Sequence, residues 1–326
     1  TGSVIQIIIP SKEKSKLSNV RLYSRHPPYN DRIPMYELIH ALGNTYYIDC
    51  PAKMVLYVKD DAHAYLIDSG NDKEAGKKVL KILQAHGWTL DAVIVTHSHA
   101  DHFGGCAVLQ ERTGCKVYGS GIERAFMQHP ILEPAYLYGG YPPKELRNKF
   151  LMAKPCTVLD ICEETFPHEF TIIPLPGHYF DMIGVVTPDK VFFCADSLSG
   201  EHILEKYHVA VLYDVEAYLI TLETVAITDA ELFVPAHAEP VTDIRELARM
   251  NAMKVEEIAD QILELCGAGA SFEDILAGLF VRYNLSMDCN QYVLVGSTVR
   301  SYLSYLHGKG LIDIMFVDNR MLWARK

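Results

Sequence analysis

The feature that most constrains the fold is a dense polar cluster at positions 97–102, where three histidines and an aspartate occur within six residues. The β-branched residues at 91–95 predict a buried strand before the cluster, and Phe103-Gly104-Gly105 predicts the entry to a helix after it. Strand-to-helix loops are where α/β folds carry functional side chains. Imidazole and carboxylate groups are zinc or iron ligands, and without a cation they would compete for few partners. The cluster therefore predicts a metal site in an α/β protein.

The spacing His97-x-His99-x-Asp101-His102 closely resembles the signature of the metallo-β-lactamase superfamily. Later in the chain, and in that family's order, come a Gly-His step, an aspartate that ends a hydrophobic strand, and a histidine that closes another apolar strand. These elements are matched by His178, Asp196 and His237, and upstream Asp68 stands in a strand-ending Asp-x-Gly step. The resemblance extends from about residue 43 to residue 240.

The resemblance implies two divalent cations, zinc first, although iron and manganese accept the same ligands. The implied ligands are His97, His99 and His178 for one cation, Asp101, His102 and His237 for the other, and Asp196 as a bridge between them together with a water or hydroxide. Asp68 is either a support that accepts the second N–H of a ligand imidazole or an ordinary turn aspartate.

The implied chemistry is hydrolysis. Two cations that share a water lower its pKa and supply hydroxide as the nucleophile, while they polarise the substrate oxygen. Asp101 then has a catalytic role beside its ligand role, because its free oxygen could orient the hydroxide or pass its proton to the leaving group. After His178, many members of the family have a short Pro-Gly step, whereas this chain has Tyr179-Phe180-Asp181. We expect its substrate contacts to differ there.

The fold class expected is α/β, an αββα metallo-β-lactamase sandwich followed by a small winged-helix-like helical domain. The predicted boundary divides a catalytic domain at 1–240 from an appendage at 241–326. Strand-like runs and a helix at 73–86 fill the first part. The appendage is predicted as helices at 243–266, 271–283 and 291–307 and a hairpin at 311–317 and 321–325. Ser271 and Asp274 form a candidate capping pair.

An aromatic, proline-rich and glycine-rich stretch at 121–155 interrupts the strand pattern and is predicted to be a lid-like insertion. Tyr136, Tyr138 or Tyr141 would then reach over the metals and shape the substrate pocket. Equally, tyrosines in such a segment often pack a loop onto its own domain.

Composition favours a soluble globular protein. The chain has 326 residues, 49% of them hydrophobic, and neither a membrane-length apolar run nor a secretion signal is expected. Eight dispersed cysteines fit a reducing cytoplasm, which is the predicted location. The net charge of −11 disfavours nucleic acid and anionic membranes as partners.

The preferred function is cleavage of a small ester, thioester or lactone, because an acidic chain with an aromatic insertion suits a small, partly apolar substrate. A phosphodiesterase or nuclease of the same fold is the first alternative. A winged-helix nucleic-acid-binding regulator with an ancillary metal site is the second, although residues 241–326 carry nine Lys or Arg against eleven Asp or Glu. A wall beside the active site or a homodimer contact is the expectation preferred for the appendage.

Overall fold

The structure, a computed structural model, describes residues 36–326, so the first 35 residues of the predicted 1–240 domain lie outside it. Within that range, seven strands form the first sheet in sequential order, antiparallel from the first to the fourth and parallel from the fourth to the seventh. They are β1 (Glu37–Leu42), β2 (Thr45–Asp49), β3 (Met54–Val58), β4 (His63–Ile67), β5 (Thr89–Ile94), β6 (Lys116–Gly119) and β7 (Leu159–Asp160).

Helices follow these strands on one side of the sheet and in the 121–155 segment. They are α1 (Lys73–His86), α2 (Ala100–Phe103), α3 (Cys106–Thr113), α4 (Glu123–Gln128) and α5 (Leu132–Tyr138). The first helix has the predicted bounds because the Asp72 side chain accepts hydrogen bonds from two backbone N–H groups of the first turn, and Gly87 ends it with φ of 73°.

Alternation along the central strands divides the core into two layers. In β5, Ala92 and Ile94 face the second sheet, whereas Val93 and the following Val95 face the helices. Strands β3 and β4 alternate in the same way, and all these side chains are buried. The first sheet therefore lies between a helical layer and a second sheet.

The second sheet has the order β11-β10-β9-β8, with only β10 and β11 parallel. Its strands are β8 (Thr171–Pro174), β9 (Ile183–Val186), β10 (Val191–Ser199) and β11 (Leu232–His237), and the neighbouring helices are α6 (Glu201–Tyr207) and α7 (Val215–Ile227). Helix α7 packs against β10 and completes the four layers. The predicted αββα sandwich is confirmed.

The C-terminal region contains the predicted three helices and hairpin. They are α8 (Arg245–Cys266), α9 (Phe272–Arg282), α10 (Cys289–Gly308), β12 (Ile312–Val317) and β13 (Arg320–Arg325). The Ser271–Asp274 capping box is confirmed. Ile262, Leu276 and Val299 of these helices share one hydrophobic core with Phe192 of the second sheet. The region is thus packed onto the sandwich, while its assignment as a separate winged-helix domain stays a prediction.

Two local features add to what the sequence predicts. The helical structure that follows the cluster comes in two pieces, α2 and α3, separated by Gly104 and Gly105, which allow close packing. A Cβ on Gly105 would lie 2.3 Å from the carbonyl oxygen of Ser69. The 121–155 segment is partly helical, since it contains α4 and α5. Among the described helices, none combines the length and apolar character needed to cross a membrane.

Candidate metal centre

The seven predicted ligands come from strand ends and loops at one edge of the two sheets. His97 and His99 follow β5, and Asp101 and His102 lie on α2. The other three come from the second sheet, with His178 between β8 and β9, Asp196 within β10 and His237 as the last residue of β11. The structure brings all seven together in two adjoining groups whose ligand atoms lie within 4.8 Å of one another in each group.

The first group contains three histidines together with Asp196. His97 Nε2 lies 3.0 Å from His99 Nδ1, and His178 Nε2 lies 3.1 Å from the same atom. Three ring nitrogens that converge on one point are typical of a cation site, because imidazole nitrogens offer lone pairs.

The second group combines histidine with carboxylate. His237 Nε2 is 3.5 Å and His102 Nε2 is 3.8 Å from Asp101 Oδ2. Asp196 lies between the groups, with Oδ1 3.1 Å from His102 Nε2 and Oδ2 3.5 Å from His178 Nε2. This carboxylate therefore faces both groups, as a bridging ligand must.

A bulge in β10 directs Asp196 into the centre. Pairing with β11 shifts register on both sides of Ala195, whose φ is 48°. Such bulges redirect side chains beside functional sites, and here the strained residue is buried directly before the carboxylate that faces both groups.

The outward-facing nitrogens of two ligand rings have acceptors. Asp68 Oδ2 lies 2.7 Å from His102 Nδ1, and the backbone N–H and hydroxyl of Thr96 both donate to Asp68. His237 Nδ1 lies 3.0 Å from the carbonyl oxygen of Pro51, to which it donates. Both rings are thus oriented with Nε2 towards the centre.

The two groups have opposite electrostatic character. Burial and neighbouring His178 lower the pKa of His99 to about 3. In the second group burial acts in the same direction, but Asp196 and Asp101 outweigh it and raise the pKa of His237 to about 10. The histidines of the first group are neutral at pH 7, whereas the second group holds protons that a cation would replace.

Buried polar atoms that lack hydrogen bonds test whether these residues fit a metal ion. In the described part of the chain, His99 Nε2, His102 Nε2 and Asp196 Oδ1 are buried and make no hydrogen bond. Buried polar atoms without partners are costly. His102 Nε2 and Asp196 Oδ1 face the centre, where a cation would satisfy both atoms. The residues present therefore fit a pair of divalent cations.

The three tyrosines of the 121–155 segment differ in position. Tyr136 packs against Tyr179, whose ring centroid lies 4.3 Å from that of His99. Tyr138 is half exposed, and Tyr141 is three-quarters exposed with its hydroxyl accepting from Arg147. Their described ring contacts do not join Tyr138 or Tyr141 to the ligands, so a lid role for these two stays a prediction.

The sequence analysis missed two buried glutamates of the same segment. Glu123 accepts hydrogen bonds from the backbone N–H and hydroxyl of Ser98 and from the backbone N–H of Asp181. It connects the loop of His97 and the loop of His178. Burial outweighs these bonds and raises the pKa of Glu123 to about 7.

Glu133 is the second buried glutamate, and it accepts a hydrogen bond from the hydroxyl of Tyr179. Burial also raises its pKa well above the usual range. An acidic residue among apolar neighbours was the available signal for both glutamates, but their partners lie far away in the chain.

Comparisons with known proteins support the same family. Residues 48–237 match the family model described as the metallo-beta-lactamase superfamily. A hydroxyacylglutathione hydrolase from Shewanella loihica is 26% identical over 218 residues, which is 64% of this chain and 73% of that protein. One from Bradyrhizobium sp. is 31% identical over 126 residues, or 38% of this chain and 40% of the relative. The chain thus spans less than half the length of the Bradyrhizobium protein.

Solved structures share the fold at low identity. A beta-lactamase domain protein from Burkholderia ambifaria has a TM-score of 0.67 at 17% identity, covering 92% of this chain and 96% of its own. A metallo-beta-lactamase family protein from Thermus thermophilus has a TM-score of 0.67 at 16% identity, with 87% and 99% covered. From its matched residues, the chain belongs to the metallo-beta-lactamase superfamily.

Proposed function

We propose that this protein is a dinuclear metal-dependent hydrolase that cleaves a small thioester, ester or lactone. The observation that carries the proposal is the convergence of seven ligand side chains in two adjoining groups, with buried nitrogen and oxygen atoms left without hydrogen bonds. His97, His99 and His178 would hold one cation, Asp101, His102 and His237 the other, and Asp196 would contact both. Bound there, two zinc ions would acidify a shared water and polarise the substrate carbonyl.

Asp101 is the residue assigned to proton handling. Its side chain is 42% exposed, whereas His102 beside it is fully buried, so Asp101 lies on the open side of the centre. Although desolvation favours the neutral acid, His102 and His237 hold the pKa of Asp101 far below its usual range. An ionised carboxylate in this position accepts a hydrogen bond from the attacking water and orients it towards the substrate.

A small acyl substrate is supported by the surroundings and by the relatives. A cavity of about 670 Å³ is lined by Tyr136, Tyr213 and Ser301 and by none of the seven candidate ligands. It is connected to His99 through the ring contacts of Tyr136 with Tyr179 and of Tyr179 with His99. This volume suits a small organic molecule. Relatives named hydroxyacylglutathione hydrolase favour a thioester. The net charge of −11 disfavours a long polyanion.

The test combines metal analysis with a substrate panel. Full-length protein is loaded with zinc, its metal content is measured, and acyl thioesters, lactones and phosphodiesters are assayed in parallel. We expect about two metal ions per chain and the highest kcat/KM on a thioester or another small acyl substrate. Asp101→Ala and His102→Ala are expected to lower metal content and turnover, while His168→Ala, at an exposed histidine, serves as the control.

The outcomes separate the alternatives. Full metal content and full turnover in both Asp101→Ala and His102→Ala would contradict the dinuclear mechanism. Activity confined to phosphodiesters would replace the acyl substrate class with the phosphodiesterase alternative while leaving the metal centre in place.

A further inference from the structure

Glu133 is a buried carboxylate that the proposed chemistry leaves without a role. It lies on α5 and is 4% exposed, although burying a carboxylate is costly unless its partners compensate. The described part of the chain gives it two polar neighbours, the hydroxyl of Tyr179 and the ring of His99. Neither Lys nor Arg forms an ion pair with it there. A carboxylate in this position faces the ligands and not a basic side chain.

The orientation of His99 determines what it needs from Glu133. Its Nδ1 points to the centre, 3.0 Å from His97 Nε2 and 3.1 Å from His178 Nε2. A neutral imidazole that offers Nδ1 as a ligand carries its proton on Nε2. That Nε2 is buried, makes no hydrogen bond, and lies 3.7 Å from Glu133 Oε1. Glu133 is the described carboxylate within reach of this N–H.

Tyr179 holds Glu133 in place. Its hydroxyl donates to Oε2, which leaves Oε1 on the side of His99. The Tyr179 ring is 1% exposed, and its centroid lies 4.3 Å from the His99 ring centroid. Since Tyr179 directly follows His178, it also joins this arrangement to a second ligand loop.

We propose that Glu133 is a positioning residue for His99: with a cation bound, the 3.7 Å separation closes to a hydrogen bond in which Glu133 accepts the Nε2–H and holds Nδ1 towards the cation, while Tyr179 orients Glu133. This inference rests on the proposed function, because it takes His99 as a metal ligand. It also gives a role to Tyr179, which stands where the chain departs from the family's pattern. The 121–155 segment then supports the three-histidine site on the side of His99 that faces away from the cation.

The experiment is a Co²⁺ titration of the metal-free full-length protein, followed by visible absorption. Wild type is compared with Glu133→Gln, Tyr179→Phe and the double variant Glu133→Leu/Tyr179→Phe, which avoids leaving an unpaired buried hydroxyl. Glu145→Leu, at an exposed glutamate of the same segment, is the matched control. The binding step of the three-histidine site is identified as the one lost in His178→Ala.

We expect the double variant to bind Co²⁺ at that step about ten- to a hundredfold more weakly, with shifted d–d absorption bands. The other step and the control should match wild type. Glu133→Gln keeps a carbonyl acceptor and should lose less, and Tyr179→Phe should also show a smaller loss. Thermal unfolding of each metal-free variant separates loss of the fold from loss of metal.

Different results of this titration would overturn the proposed function and the role of Glu133. Wild type that takes up no Co²⁺ overturns the proposed function. Wild type that binds two ions, with an unchanged three-histidine step in the folded double variant, overturns the role of Glu133. Equal losses in Glu133→Gln and the double variant overturn it as well, because charge or packing would then matter and not the acceptor. If the double variant does not fold, unchanged binding in Tyr179→Phe overturns the pairing.

Discussion

The carboxylate of Asp68 lies 2.7 Å from Nδ1 of His102, and both side chains are completely buried. Asp68 also has φ of 60°, a left-handed conformation that aspartate tolerates better than most residues. Desolvation of the His102 ring is outweighed by Asp196, Asp101 and Asp68, which raise its pKa well above the usual range. Asp68 therefore orients His102 and increases its basicity towards a proton or a cation.

Asp68→Asn tests this support. Asparagine keeps the left-handed backbone and the size of the side chain, but its amide cannot accept from Thr96 and His102 in the same way. We expect affinity for the cation at Asp101, His102 and His237 to fall about ten- to a hundredfold. Competition with a chromophoric chelator measures this affinity.

Asp91→Asn is the matched control, because Asp91 pairs with His63 on the surface. Metal affinity equal to wild type in Asp68→Asn would mean that Asp68 is only a turn residue.

Gly177→Ala is expected to damage the three-histidine site. Gly177 precedes His178 with φ of 123°, and a Cβ would lie 2.2 Å from the backbone nitrogen of Tyr218 in α7. The loop or the helix must move, so we expect a loss of more than about 1 kcal/mol in the free energy of unfolding. Urea denaturation and metal stoichiometry measure the two effects.

Gly87→Ala separates the effect of backbone strain from the steric clash expected at position 177. Gly87 also has positive φ, at 73°, but open space surrounds the position of its Cβ. It should cost about 1 kcal/mol and leave metal content unchanged. If Gly177→Ala kept full metal content, the three-histidine site would not need glycine at position 177.

The gathering of the seven candidate ligands in one place was largely predictable, because they stand at strand ends with a recognisable spacing. Helix α1 was predicted with its observed bounds from the periodicity of its apolar residues, and the structure shows that Asp72 and Gly87 cap its two ends. Glycine is required before His178 because α7 packs closely against that position. The sequence shows the glycine but not the packing that requires it.

Other elements carry no local signal of this kind. Helix α7 was missed because Val215–Ile227 is mostly apolar, with polar residues that do not gather on one face, and so shows little amphipathic period. Glu123 and Glu133 were missed because their burial depends on Ser98 and Tyr179, which lie 25 and 46 residues away. The tyrosines of the segment are compatible with a lid or with packing onto their own domain, and the two glutamates contact the ligand loops.

Ser271→Ala tests the start of α9 independently of the metal centre. The Ser271 hydroxyl accepts from the backbone N–H of Asp274, and the Asp274 carboxylate accepts from the backbone N–H of Ser271. Removing the hydroxyl should lower the free energy of unfolding by about 1 kcal/mol. Urea denaturation should show this loss with unchanged metal content, and Ser271→Thr should restore much of it. Stability equal to wild type in Ser271→Ala would show that the capping box contributes little.

Glu123 predicts a specific pH dependence of stability. Burial raises its pKa from the usual 4.5 to about 7 in the folded protein. Between these values the unfolded chain has lost the proton that the folded chain keeps, so the free energy of unfolding falls as pH rises. The contribution is fully present below pH 4.5, and a loss of about 3 kcal/mol is complete above about pH 7.

Glu123→Gln removes this titration, so the comparison of slopes is the measurement. Urea denaturation of both proteins at matched metal content, from pH 4.5 to 8, should show the stability of wild type falling relative to the variant across the interval. Because glutamine cannot accept from both Ser98 and Asp181, the variant is expected to be less stable throughout, and only the slope reports the carboxyl. Glu145→Gln, at an exposed site, should keep the slope of wild type. Parallel curves for wild type and Glu123→Gln would mean that Glu123 is already ionised in the folded protein at pH 4.5, with its three hydrogen bonds outweighing burial.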